Sequence, residues 1–169
     1  GFVALNKNLI NDLSSIMQND RVIEVGAGTG FLAKHLQEKN INLLPVDNAI
    51  SDMDKYTNHY GFRKTFTDIL ETDAINYFKE NKHNFDTILM VWPPLYEELS
   101  SEIFKEMSVG QKLIYIGESK GGCTGNDDFF NLLSEKAILD YELSKKTNGN
   151  FTSFSLIKDN IYIYEKTKE

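Results

Sequence analysis

One cysteine, one tryptophan, three prolines and three histidines are all that the 169 residues hold of those types. A lone thiol, Cys123, excludes an internal disulfide and fits a reducing compartment. It also excludes a cysteine-based metal site, and the scattered histidines form no ligand motif, so no metal is expected. No apolar run approaches the length of a membrane span. Gly1-Phe2-Val3-Ala4 lacks the basic region and long apolar core of a secretory signal. A cytoplasmic protein without a membrane partner is expected. The chain starts with glycine rather than methionine, so further residues are expected before Gly1. Arginine is confined to Arg21 and Arg63, and the formal net charge is −7. A protein that grips a long nucleic acid usually carries a basic face. Lys145-Lys146 is only a pair, so stand-alone binding to long nucleic acid is disfavoured. Nothing in the chain fixes an oligomeric state.

What is present reads as one α/β domain. Leu5, Leu9, Ile10, Leu13, Ile16 and Met17 recur at helical spacing over 5–18. A strand at 21–25 and a helix at about 30–39 follow. Residues 42–47 read as a second strand, with Pro45 implying an irregularity or an available edge. A short helix is expected near 50–58, a third strand at 63–67 ending at Asp68, and a helix over 71–81. The run 85–92 is almost continuously apolar, as a central strand covered on both faces should be. Pro93-Pro94 stops it, and a helix pattern runs from 95 to 107. Strand five is 112–117. A glycine-rich loop, 117–125, leads to a helix at about 126–135. Two strands near 137–145 and 154–165, with no helix between them, predict an antiparallel ending. Residues 1–19 form an N-terminal helix and 20–169 the core.

The most informative segment is Val22-Ile23-Glu24-Val25-Gly26-Ala27-Gly28-Thr29-Gly30-Phe31-Leu32. A strand runs into three glycines at alternate positions and then into a helix. Such a turn lets a ligand approach bare backbone. The spacing is G-x-G-x-G, and Phe31 stands where a dinucleotide-binding turn needs its third small residue. Ligands on parallel sheets sit at the carboxyl ends of the strands, and Asp47, Asp68, Trp92-Pro93-Pro94 and Gly117-Glu118 mark those ends. Asp47 lies 21 residues past Gly26, where a carboxylate can accept both hydroxyl protons of a ribose. Nicotinamide folds use such an acid too. Asp68 has a plain alternative as a helix cap, and Glu24 as a strand-end acid paired with a lysine.

The glycine segment resembles motif I, E/D-x-G-x-G-x-G, of the class I S-adenosylmethionine-dependent methyltransferases. The resemblance implies a Rossmann-like, mostly parallel seven-stranded sheet with helices on both faces and an antiparallel C-terminal strand. It implies S-adenosylmethionine as cofactor, held by Glu24, Gly26, Ala27, Gly28 and Gly30. Asp47 and Asn48 would meet the ribose, Asp68 the adenine amino group, and Ile69 the ring. Trp92-Pro93-Pro94-Leu95 is similar to the D/N-P-P-Y/F/W motif of methyltransferases that act on amino nitrogens, which makes Trp92, Pro93 and Pro94 candidate catalytic positions. The chain departs from that motif twice. Trp92 removes a side-chain acceptor, because indole only donates, and Leu95 replaces the aromatic, although Tyr96 follows. Glu118, in a loop able to act as a substrate lid, is a candidate acceptor or base. The expected activity is methyl transfer to an unidentified acceptor, with a nitrogen in view. The alternative is a catalytically degenerate member of the fold that binds cofactor or serves as a partner or scaffold subunit. A nicotinamide-dependent enzyme is a third reading, opposed by Phe31.

Overall fold

The computed structural model describes residues 4–48 and 65–169. The helix expected near 50–58 lies outside the described residues. The order is α1 (Lys7–Met17), β1 (Arg21–Val25), α2 (Phe31–Gln37), β2 (Asn42–Asp47), β3 (Leu70–Glu71), α3 (Ala74–Asn81), β4 (Thr87–Val91), α4 (Leu99–Glu106), β5 (Lys112–Gly117), α5 (Asp127–Lys136), β6 (Ala137–Leu139), α6 (Tyr141–Asn148) and β7 (Asn160–Lys166). A single 3-10 turn, Lys82–Asn84, leads into β4. No helix among the described residues is long and apolar enough to cross a membrane.

Four helices start on the same device. Asn6, Asp73, Asn126 and Asp140 each accept the amide proton three residues on, at Leu9, Asn76, Phe129 and Leu143. Each cap satisfies an amide that the helix itself cannot, a contribution of about 1 kcal/mol. Asp73 also corrects the third helix, which begins after it at Ala74 rather than at 71.

The sheet has seven strands in the order β3-β2-β1-β4-β5-β7-β6. β1 pairs in parallel with β2 and β4, and β4 with β5. β7 runs antiparallel between β5 and β6. This is the expected sheet with its antiparallel last strand. All five residues of β4 are buried, and its side chains alternate between two cores. Leu89 and Val91 pack with Leu9, Leu13, Leu32 and Leu36 on the α1–α2 side. Ile88 and Met90 pack with Phe78, Phe104 and Phe129 on the α3–α5 side.

Three further expectations are corrected. The third strand is Leu70–Glu71 rather than 63–67, and 65–69 is irregular. The fourth helix starts at Leu99, four residues past 95, because 95–98 first complete the turn after the prolines. Of the strand expected over 137–145 only Ala137–Leu139 forms, and α6 then separates the last two strands. The reason lies in the open edge of β7, since β6 pairs only with its far end. The Asp140 amide donates to the Ile163 carbonyl and the Ile163 amide to the Ser144 hydroxyl. Asn148 both donates to the Ile161 carbonyl and accepts from the Ile161 amide. Helix side chains thus take the place of a neighbouring strand and cover an edge that would otherwise carry unpaired backbone.

Pro45 sits opposite Glu24 in the β1–β2 pairing. The Val46 carbonyl accepts from Ala27 on the β1 side, and the Asp47 carbonyl from Thr72 on the other. By alternation the Pro45 nitrogen faces the β3 side, where pairing begins only at Val46. The proline therefore costs no ladder hydrogen bond.

Candidate functional site

The carboxyl end of β1 is held in a tight turn. Gly26, Gly28 and Gly30 have φ of 69°, 59° and 70°, left-handed values that L side chains rarely adopt. At Gly30 space is tight as well, since an added Cβ would stand 3.0 Å from both Ile69 Cδ1 and Thr67 Cγ2, which would have to give way. Asp47 braces the turn: its Oδ2 accepts from the Gly28 amide at 2.8 Å. The Ala27 amide donates to the Val46 carbonyl and the Phe66 amide to the Thr29 carbonyl. The ends of β1 and β2 and the Thr67-Asp68-Ile69 segment are thereby brought together around the turn. Asp68 is exposed and precedes β3 rather than ending it. The capping role that competed for it belongs to Asp73.

A cavity of about 180 Å³ opens here. Gly26, Asp47, Asn48, Asp73, Glu97 and Glu98 are among its lining residues. The two glutamates were not anticipated, because they fall in a segment that reads as helix.

Glu24 is the other unusual group. It is 3% exposed, and its Oε2 has no hydrogen-bond partner among the described residues. Burial, with the charge of Asp47 adding to it, pushes its carboxyl up to about 8. No lysine pairs with it among the described residues. A buried, unsatisfied acid at the foot of a glycine turn is costly, and a cationic ligand group would relieve it.

Trp92 follows β4, the neighbour of β1. Its φ is 53°, an outlier for so bulky a residue. Its amide donates to the Ile116 carbonyl, and the Pro93 carbonyl accepts from the Gly125 amide at 2.9 Å. Pro94 and Thr124 form an antiparallel bridge. The Trp-Pro-Pro segment is therefore stitched to the glycine-rich loop. The indole is half-buried against the α1-side core, and Nε1 donates to Asp159 Oδ2 at 3.1 Å. Tyr96, the aromatic that follows the prolines, is 96% exposed.

Glu118 is less available than its position suggests. Oε2 accepts from the Cys123 amide at 2.6 Å and Oε1 from the Lys158 amide at 3.0 Å. These backbone bonds hold its carboxyl below the ordinary value. Such a group clasps two loops, and the same bonds weaken it as a proton acceptor. Tyr115 and Thr124 complete the clasp: the Tyr115 hydroxyl reaches the Glu118 carbonyl at 2.8 Å and the Thr124 hydroxyl at 2.6 Å.

Asp159 is the residue that the sequence reading missed. Lys158-Asp159-Asn160 has the composition of a surface turn, yet Asp159 is 3% exposed. The signal was the antiparallel strand itself. A strand that runs backwards brings the residue before its start, not after its end, to the ligand side of the sheet. Among the described residues no group of His, Cys, Asp or Glu is placed to hold a metal ion.

Neither a protein-family model nor a curated protein matches the chain. Solved structures do. A mutant of MtNAS in complex with S-adenosylmethionine matches with a TM-score of 0.58 at 11% identity, over 94% of this chain and 60% of that one. The ribosomal protein L11 methylase of Lactobacillus delbrueckii subsp. bulgaricus matches with 0.52 at 13% identity, over 98% and 81%. The PH0226 protein of Pyrococcus horikoshii OT3 matches with 0.52 at 15% identity, over 95% and 89%. The chain spans only about three fifths of MtNAS. Together with the strand order, these likenesses show the class I methyltransferase fold.

Proposed function

We propose that this chain is an S-adenosylmethionine-dependent methyltransferase. The observation that carries the reading is the buried Glu24 carboxyl, whose Oε2 has no partner among the described residues, beneath a glycine turn braced by Asp47. A dinucleotide brings a pyrophosphate, which would be repelled by Asp47, Glu97 and Glu98. S-adenosylmethionine brings an ammonium and a sulfonium, which suit them. The residues present therefore fit this cofactor. Gly26, Ala27, Gly28 and Gly30 would give it bare backbone, Glu24 would answer the ammonium, and Asp47 and Asn48 the ribose. Asp68 and Ile69 would meet the adenine. When bound, it supplies a methyl group already activated on sulfur, so the chain need only orient, exclude water and hold charge.

The acceptor is unidentified; a nitrogen is the choice that Trp92-Pro93-Pro94 supports by its resemblance. Here the chain offers no acceptor side chain at position 92, and one lone pair of the Pro93 carbonyl is taken by Gly125. Those facts, with both Glu118 oxygens in use, favour a second reading: a cofactor-binding partner subunit that transfers nothing. The charge of −7 disfavours a long nucleic acid as a stand-alone partner. Calorimetric titration with S-adenosylmethionine, S-adenosylhomocysteine and NAD is the test. Binding of the first two and not the third is expected. No binding of either at millimolar concentration would refute the proposal. Binding without transfer to any acceptor in a cell extract would favour the second reading.

A further inference from the structure

Trp92 adopts a backbone conformation that tryptophan avoids, and such strain persists only where the surroundings over-determine it. Here its amide and the following carbonyl are both engaged by neighbouring backbone. Its ring is held separately, by the bond from Nε1 to Asp159. The other Asp159 oxygen accepts from the Ser153 hydroxyl, which also lies 2.6 Å from the Ile157 carbonyl. Next to it the Lys158 amide is fastened to Glu118. The carboxylate is thus buried, doubly bonded and fixed to the loop after β5. A buried indole N–H ordinarily finds an acceptor; here the acceptor is itself a buried carboxylate, bonded a second time to Ser153. This ring is half-buried, and its one polar atom is turned inward. What remains outward carries no donor.

We propose that Asp159, oriented by Ser153, is a positioning residue of the acceptor side: it fixes the Trp92 ring as a rigid wall at the end of β4, beside the cofactor turn at the end of β1. This rests on the methyltransferase reading. It explains how a motif that has lost its acceptor side chain keeps a defined surface where the acceptor would lie.

Trp92 is the sole tryptophan, so intrinsic fluorescence reports on this ring alone. In Asp159→Ala the emission anisotropy should fall and acrylamide quenching rise about twofold, as a freed side chain gains rotamers. S-adenosylhomocysteine affinity by calorimetry should stay within about threefold, since no cofactor contact is removed. Asp159→Asn keeps an acceptor oxygen and should restore the wild-type signal. Saturation with S-adenosylmethionine should change the emission of the wild type and of Asp159→Asn, and not that of Asp159→Ala. If Asp159→Ala does not fold, Ser153→Ala should move anisotropy and quenching the same way, by less. Unchanged anisotropy and quenching in Asp159→Ala, or in Ser153→Ala where that variant must serve, would overturn the proposal. So would a wild type whose emission ignores S-adenosylmethionine that calorimetry shows to be bound; that outcome leaves the methyltransferase reading intact. No binding of either ligand would overturn both.

Discussion

Replacing Glu24 with glutamine tests the centre of this argument without knowledge of the acceptor. The unfolded chain releases the Glu24 proton near 4.5, whereas the folded protein holds it up to about 8. Between these values the native state binds more protons than the unfolded one, so stability falls as pH rises. The contribution is fully present below 4.5 and fully lost above about 8. The slope for one such group is about 1.4 kcal/mol per pH unit, so between pH 5 and 8 wild-type stability should drop by roughly 2–4 kcal/mol from this residue alone. Asp86, held at about 2 by its hydrogen bonds to Arg21, changes only at lower pH. In Glu24→Gln the titration is gone and shape is kept, so its profile across this range should be flatter by the same amount. The comparison is made by urea unfolding of the ligand-free proteins at half-unit steps of pH, and the difference between the two curves removes every other group. Parallel curves would refute the reasoning and show that Glu24 is not held as a buried, uncompensated acid. With S-adenosylhomocysteine saturating, its ammonium should draw the proton off Glu24, and the two profiles should converge in slope.

Three further outcomes are expected. Gly28→Val should abolish S-adenosylhomocysteine binding by calorimetry while leaving a cooperative thermal transition, because the turn is blocked by a β-branched residue at φ 59° and the core is untouched. Asp47→Ala should weaken binding by about 1.5–3 kcal/mol, the loss of a hydrogen bond to a charged group, with some of the cost arising from the unbraced Gly28 amide; affinity equal to the parent would dismiss the ribose assignment. Asn148→Ala should destabilise by roughly 1–3 kcal/mol and speed hydrogen exchange at the Ile161 amide, its direct partner, more than at Ile114 in the same sheet.

The parts of the fold that were legible in sequence are those governed by local rules. Strands one, two and five fell on the residues expected, because each is a short apolar run bounded by breakers. The N-terminal helix was legible from its spacing and the last strand from the alternation of Ile161 and Ile163 with Tyr162 and Tyr164; its antiparallel direction was expected on the ground that no helix separates the closing strands, and Tyr141–Asn148 does separate them. What escaped was decided by distant neighbours. Tyr141–Asn148 carries too little apolar periodicity to announce a helix. It becomes one because Asp140 caps it, and Ser144 and Asn148 find the bare edge of β7. The carboxylates near the glycine turn were legible because strand ends can be counted. Whether Glu118 was a free base depended on the amides of Cys123 and Lys158, which no spacing reveals. Asp159 was hidden by its own composition, since a buried acid between lysine and asparagine looks like any solvated turn.

The position of β7 has a consequence for synthesis. This strand comes late in the chain, yet it lies inside the sheet, pairing Gly117 with Asn160 at one end and Lys112 with Glu165 at the other. While the ribosome is still making residues 118–159, β5 has no partner on that side, and β6 has nothing to join. At a synthesis rate of roughly 5–20 residues per second, that apolar edge stands open for a few seconds. The same late arrival delivers Asp159 to Trp92. A nascent chain stalled before residue 159 would therefore carry the residues of the glycine turn and Trp92 without the carboxylate that holds the indole.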